Sequence, residues 1–206
     1  ANISVLMSVF NSQEYLAEAI ESILNQTFRN FEFLIIDDGS TDRSPEIISQ
    51  YNDSRIVLIK NERNLGLAAS LNKGIALGKG KYIARMDADD IADPSRLANQ
   101  FTFMEQNADV DLCGSWVQVI KDETEQIWAY PLLHDEIKAQ LLFNSPFAHP
   151  TIFFRKETFL NKNLRYNELI KRAQDYELWS RIIQCCTVAN IPQVLFMMNG
   201  PVGKEL

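Results

Sequence analysis

Ile3 to Val9 is a short run of apolar and β-branched residues, and behind it Leu16, Ala19, Ile20, Ile23 and Leu24 recur at helical spacing within Glu14 to Leu24. A strand followed by a helix is predicted. Phe31 to Ile36 repeats the strand signal. Asp37 to Asp42 is a polar loop containing a glycine, and Pro45 to Tyr51 reads as a short helix. Arg55 to Ile59 is a third strand, and Leu67 to Leu77 is a helix ended by Gly78 and Gly80. Lys81 to Met86, a fourth strand, runs into Asp87, Asp89 and Asp90, and Pro94 opens a helix carrying Leu97, Phe101 and Met104.

After Val110 the pattern changes. Asp111 to Ile120 and Glu125 to Tyr130 read as extended segments, His134 to Phe143 as a helix and Thr151 to Phe154 as a strand. Ala173 to Ile183 is an amphipathic helix, and Val194 to Met198 is the last strand. Strands alternating with helices of about ten residues favour a parallel sheet covered by right-handed crossovers. The fold class is therefore α/β, with a mostly parallel central sheet flanked by helices. Residues 1–109 form a nucleotide-binding type of layer and 110–206 a mixed half. With neither repeats nor low-complexity linkers, 1–206 is expected to be one domain around one core.

Composition sharpens this only in places. Hydrophobic residues make up 46% and charged residues 23%, which is globular. The net charge of −7 disfavours nucleic acid, because neutralising phosphates takes a concentrated basic face. Two of the three cysteines, Cys185 and Cys186, are adjacent, so no disulfide framework can be written and a reducing, cytoplasmic setting is the default. No stretch has the roughly 18 apolar residues of a membrane span. The chain starts directly on a strand, so trimmed ends, and with them a peripheral seat at the inner face of the membrane, are left open.

The chemistry lies where strands end. Parallel strands deliver their carboxyl ends to one edge, and ligands bind in the crevice outside it. The first strand ends at Ser8 and Phe10, the second in Asp37, Asp38, Gly39 and Ser40, and the fourth in Asp87, Ala88, Asp89 and Asp90. Carboxylates gathered so closely raise one another's pKa unless a cation or hydrogen-bond donors offset the repulsion. Mn²⁺ or Mg²⁺ suits such oxygen ligands, taking one or two carboxylates with phosphates and water, and Asp87 and Asp89 have the Asp-x-Asp spacing for it. The plainer alternative is that Asp37, Asp38 and Asp42 cap the helix after the second strand, and that Asp90 and Asp93 cap the one near Pro94.

Seven segments in order carry a resemblance: Ser4 to Asn11, Ser22 to Phe28, Asp37 to Asp42, Asn64 to Leu67, Asp87 to Asp90, His149-Pro150-Thr151, and Gln174 to Trp179. Together they resemble glycosyltransferase family 2, whose members adopt the fold called GT-A. The resemblance spans nearly the whole chain. It implies transfer of a sugar, with inversion, from a nucleotide-diphosphate sugar to a saccharide or lipid-linked acceptor in polysaccharide or glycolipid assembly. Phe10 would stack on the base with Ser8 beside it, and Asp38 would hydrogen-bond the base. Asp87 would lie near ribose and metal, Asp89 would bind the metal, and Asp175 would be the catalytic base. The acceptor would lie on the 110–206 half. Two departures stand out. Gln174 occupies a place where many relatives carry Glu, which leaves the base role to Asp175 alone. Met197-Met198-Asn199-Gly200 replaces a frequent Tyr-Arg and later His, so a lid or phosphate contact from there is missing or supplied from elsewhere.

Other residues stay ambiguous. Asp175 could serve only the electrostatics of a helix N-terminus. Trp179, at i+4 from Asp175, shares its face and could pack on an acceptor sugar or belong to the core. His149 could be a site residue or a structural histidine, and Arg63 could reach a diphosphate or be a solvated loop charge. Rival functions are a nucleotidyltransferase or phosphatase on the same rim, or a silent nucleotide-sugar-binding module. A phosphatase forming an aspartyl-phosphate would want Asp-x-Asp after the first strand, which here ends Val9-Phe10-Asn11. A dehydrogenase is disfavoured because no Gly-x-Gly-x-x-Gly follows that strand.

Overall fold

In β1 (Ile3–Val9), Ile3, Val5, Met7 and Val9 enter one apolar layer while Leu6 enters another, as the two-residue period of a strand requires. The computed structural model describes residues 1–121 and 124–199. The chain continues through α1 (Leu16–Leu24), β2 (Phe31–Asp37), α2 (Ser44–Ser49), β3 (Ile56–Lys60), α3 (Leu67–Leu77) and β4 (Tyr82–Met86). These four strands are parallel, with Val9 beside Asp37, Met7 beside Met86 and Asp37 beside Lys60. Every residue of β2 and β4 is buried, which explains their mostly apolar runs, broken only by Glu32 and Arg85 before the strand ends.

The second half follows as β5 (Asp90–Ala92), α4 (Arg96–Gln106), β6 (Leu112–Lys121), β7 (Thr124–Trp128), α5 (His134–Gln140), β8 (Phe153–Arg155), α6 (Lys156–Asn161), α7 (Gln174–Ile182) and β9 (Val188–Asn199). One sheet runs through both halves in the order β3-β2-β1-β4-β8-β6-β9-β5, with β7 paired to β6. Strands β6 and β9 are parallel to each other, whereas β8, β7 and β5 are antiparallel to their neighbours. One face of the sheet packs on Leu16, Ile20 and Ile23 of α1 and on Leu97 and Met104 of α4. The other packs on Leu71 and Ile75 of α3 and on Leu178, Trp179 and Ile182 of α7. Each fully buried Ile or Leu contributes about 2 kcal/mol.

Every segment expected from the sequence is present, and the differences have local causes. β9 starts at Val188, well before the expected Val194, because Pro192 does not end the strand. The ladder steps from Ser115 opposite Ile191 to Trp116 opposite Val194, so the proline, lacking an N–H, sits in a bulge. The strand expected from Thr151 begins at Phe153, since His149–Thr151 forms a 3-10 turn around Pro150. α5 stops at Gln140, leaving Leu142 and Phe143 exposed. β5 and α6 are too short to leave a periodic signal. Gly200, which ends the Met-Met-Asn-Gly segment noted above, lies outside the described residues. Among the described residues no helix is long and apolar enough to cross a membrane.

Candidate active site

The loops after β1 and β2 are stitched together by Asn11, which adopts the left-handed conformation that asparagine tolerates (φ 51°). Its Oδ1 accepts from the Thr41 amide at 2.8 Å and its own amide donates to Ser40 Oγ at 3.1 Å. Gly39 (φ 74°) lets the backbone of residues 63 and 64 come close, since a Cβ there would lie 2.7 Å from the Arg63 carbonyl carbon. That approach serves Asp38. Its carboxylate is buried and accepts from Asn61 Nδ2 at 2.7 Å and from the Leu65 and Gly66 amides, both at 2.9 Å. Asp37 accepts from the Ser40 amide, and Asp42 accepts from the amides of Ser44 and Gln13.

The acidic turn after β4 is built differently. Arg85, buried in β4, grips both oxygens of Asp87 as a fork, one bond measuring 2.5 Å and the other being shorter. One oxygen from each of Asp87, Asp89 and Asp90 lies within 4.8 Å of the others. Asp90 is 3% exposed and its Oδ2 has no hydrogen-bond partner among the described residues. Burial, then the Asp87 and Asp89 charges, push its pKa up to about 8 against the opposing pull of Arg85 and Arg96. An unpartnered buried carboxylate oxygen beside two other carboxylates is an oxygen-only donor set, and that fits a hard divalent cation. Asp93, by contrast, accepts from the Ser95 amide and hydroxyl. None of these carboxylates is a helix N-cap: Asp42 and Asp93 each accept from the amide two residues on, in the turns that lead into α2 and α4, whose N-cap residues are Arg43 and Ser95.

Beneath this turn lies Arg96, fully buried. It donates to the carbonyls of Arg85 (2.6 Å) and Pro150 (3.2 Å) and to Gln100 Oε1, and its guanidinium covers the Phe196 ring at 4.3 Å. Burial lowers its pKa to about 9. Gln100 in turn donates to the Thr151 carbonyl at 2.7 Å. One helical pair thus fixes the end of β4 and the His149–Thr151 turn together.

At the carboxyl edge these parts enclose a cleft of about 260 Å³ lined by Ser8, Phe10, Ser12, Asp38, Asn64, Leu67 and Asp87 to Asp89. Ser8, Phe10, Asp38, Asp87 and Asp89 are brought together there. Phe10 is 45% exposed, an aromatic face left out of the core. Arg63 contributes its backbone to the Gly39 contact, and its exposed side chain is not among the cleft's lining. Asp175 stands in the first turn of α7, beside Gln174, which lines a neighbouring cleft of about 410 Å³ that shares Asn64 and Leu67 with the first. His149 and Tyr166 meet at 2.7 Å between Nε2 and Oη. Burial raises the Tyr166 pKa, Arg85 opposes that, and Asp175 and Asp87 add to it, so both carboxylates act on one phenol. Desolvation and Arg85 hold His149 well below 6.5, so its ring is neutral. Trp179 is the correction: at 1% exposure, packed on Phe147 and His149, it is a core residue with no face for an acceptor.

The profile described as "Glycosyl transferase family 2" matches residues 4–164. The chain belongs to that family. Asp175 lies past the matched span. A glycosyltransferase of Methanocaldococcus jannaschii is 43% identical over 188 residues, covering 88% of this chain and 64% of the relative. One of Haemophilus influenzae is 37% identical over 205 residues, covering 94% and 64%. The chain thus spans under two thirds of the length of these two curated relatives. The O-antigen biosynthesis glycosyltransferase WbnJ of Escherichia coli is 36% identical, covering 89% of this chain and 72% of WbnJ. Among solved structures, S. aureus TarS (1-349) with UDP-GlcNAc superposes with a TM-score of 0.82 at 18% identity, covering 99% of this chain and 60% of that one. The mannosyltransferase PcManGT of Pyrobaculum calidifontis, with GDP-Man and Mn²⁺, gives 0.76 at 17%, covering 98% and 58%. The family member's fold is of GT-A type.

Two residues of this neighbourhood are not among the sequence candidates. Arg85 has a signal, a charge inside an apolar strand two residues before Asp87 and therefore on its side of the chain. Tyr166 has none, since only tertiary packing brings it to His149.

Proposed function

We propose that the chain is the catalytic part of a metal-dependent, inverting glycosyltransferase that moves a sugar from a nucleotide-diphosphate donor to a saccharide or lipid-linked acceptor. One observation carries the reading: an exposed aromatic, Phe10, and the carboxylates of Asp87 and Asp89 share one cleft at the carboxyl edge of parallel strands. Phe10 offers its face to the base, Ser8 flanks it, and Asp38 shapes the wall by holding the Leu65 and Gly66 amides. Asp87 and Asp89, with Asp90 behind them, would hold Mn²⁺ or Mg²⁺, which when bound supplies Lewis-acid stabilisation of the leaving diphosphate. Asp175 takes the proton from the attacking acceptor hydroxyl, and a single base facing the leaving group gives one displacement and inversion.

Residues 1–109 then hold the donor and 110–206 the acceptor, in a single domain. The acceptor would enter by the cleft that Gln174, the neighbour of Asp175, lines. Arg63 stays in reserve for the diphosphate. The name of WbnJ supports an acceptor in surface polysaccharide assembly, and the ligands of TarS and PcManGT support a nucleoside-diphosphate sugar with a divalent ion. Such an acceptor favours a cytoplasmic setting, at the inner face of the membrane when the acceptor is lipid-linked. The test is Asp175→Asn, with UDP-GlcNAc and GDP-mannose as donors and Mn²⁺ present. Nucleotide release should fall roughly 10²–10⁴-fold while calorimetric donor affinity stays within about twofold. Full turnover in the variant would remove the base role.

A further inference from the structure

Arg85 is a cation with nowhere to go. Its side chain is 3% exposed, it sits in a strand whose every residue is buried, and both terminal guanidinium nitrogens are spent on the two oxygens of Asp87. Its Nε has no hydrogen-bond partner among the described residues. The guanidinium brings a full positive charge to this turn. It stands beside the three carboxylates whose oxygens come within 4.8 Å of one another, and one of those carboxylates is the one it holds.

A divalent ion arriving alone at this turn meets a positive charge that already occupies both oxygens of one prospective ligand. An ion arriving with a diphosphate meets the same charge together with new negative charge that offsets it. We propose that Arg85 is a built-in counter-ion that competes for Asp87 and so makes metal binding at this turn depend on the nucleotide. The inference rests on the metal-dependent reading above. Arg85 acts through Asp87 and is a positioning residue. Because binding couplings are reciprocal, the nucleotide's affinity gains from the ion by the factor that the ion's gains from the nucleotide.

The test reads free Mn²⁺ by electron paramagnetic resonance, with and without UDP or GDP, for the wild type, Arg85→Met and Arg85→Lys. The wild type should bind Mn²⁺ at least about tenfold more tightly with nucleotide, within the usual range of such couplings. Arg85→Met, which keeps the apolar stem and drops the charge, should bind Mn²⁺ alone about tenfold more tightly than wild type and reduce the coupling to roughly threefold or less. Arg85→Lys, which keeps the charge, should retain most of it. Arg85→Gln replaces Arg85→Met if the latter does not fold. Two results overturn the proposal: a neutral variant that binds Mn²⁺ alone no better than wild type, or lysine and neutral variants that behave alike, as a purely structural role predicts. A wild type that binds no Mn²⁺ with either nucleotide removes the metal-dependent reading itself, and this inference with it.

Discussion

Two strand ends of similar composition, Asp37-Asp38 after β2 and Asp87 to Asp90 after β4, reach the same edge of the sheet and meet opposite fates. At the first, the chain supplies its own donors. Asp38 accepts from Asn61 and two backbone amides, and Asp37 and Asp42 accept from turn amides. At the second, Asp90 keeps a buried oxygen without a partner and Asp87 is held by a single arginine. The difference teaches that clustered carboxylates in a sequence do not announce a metal site. What differs is what meets their oxygens: backbone amides and an asparagine at the first end, and at the second a charged arginine on Asp87 with Asp90 Oδ2 left unpartnered among the described residues.

The comparison can be pressed from the strongest effect to the weakest. Asp89→Asn should weaken Mn²⁺-dependent nucleotide binding roughly 100-fold in calorimetry and leave the melting temperature within a few degrees. An unchanged affinity would place the cation elsewhere. Asp38→Asn faces an amide nitrogen toward existing donors and should destabilise the fold by about 2–3 kcal/mol in urea unfolding. The same substitution at Asp90 should do the reverse in metal-free protein at neutral pH, gaining about 1–2 kcal/mol, because an acid whose pKa is raised to about 8 must take up a proton on folding and asparagine need not. If both variants lose stability equally, the two ends are not different in kind. Asp42→Ala and Asp93→Ala should each cost about 1 kcal/mol with nucleotide affinity unaltered, which tests whether one residue per cluster only anchors a turn.

Most of the fold was legible because it is written in local periods. The parallel strands β1, β2 and β4 appear as apolar runs, and α1, α3 and α7 as recurring apolar positions. The rim at Phe10, Asp38, Asp87 and Asp89 followed from topology alone, since parallel strands put their ends together. What was not legible depends on partners distant in sequence. Whether Asp38 faces its own amides or a ligand turns on the close approach that Gly39 allows. Trp179 sits on the same helix as Asp175, yet the packing of Phe147 and His149 around it, and not its i+4 spacing, decides that it is core. The bulge at Pro192 is visible only once β6 is laid beside β9.

Arg96 donates to the Arg85 carbonyl just before the acidic turn and to the Pro150 carbonyl within the His149–Thr151 turn while lying on the Phe196 ring of β9. Those three stretches therefore cannot loosen one at a time without stranding a buried cation. They form one cooperative unit, and their amides should exchange with deuterium together, at rates near that of global unfolding. A damaging substitution in β9 would then reach the acidic turn through the loss of a shared anchor, with no contact between the altered residue and any substrate.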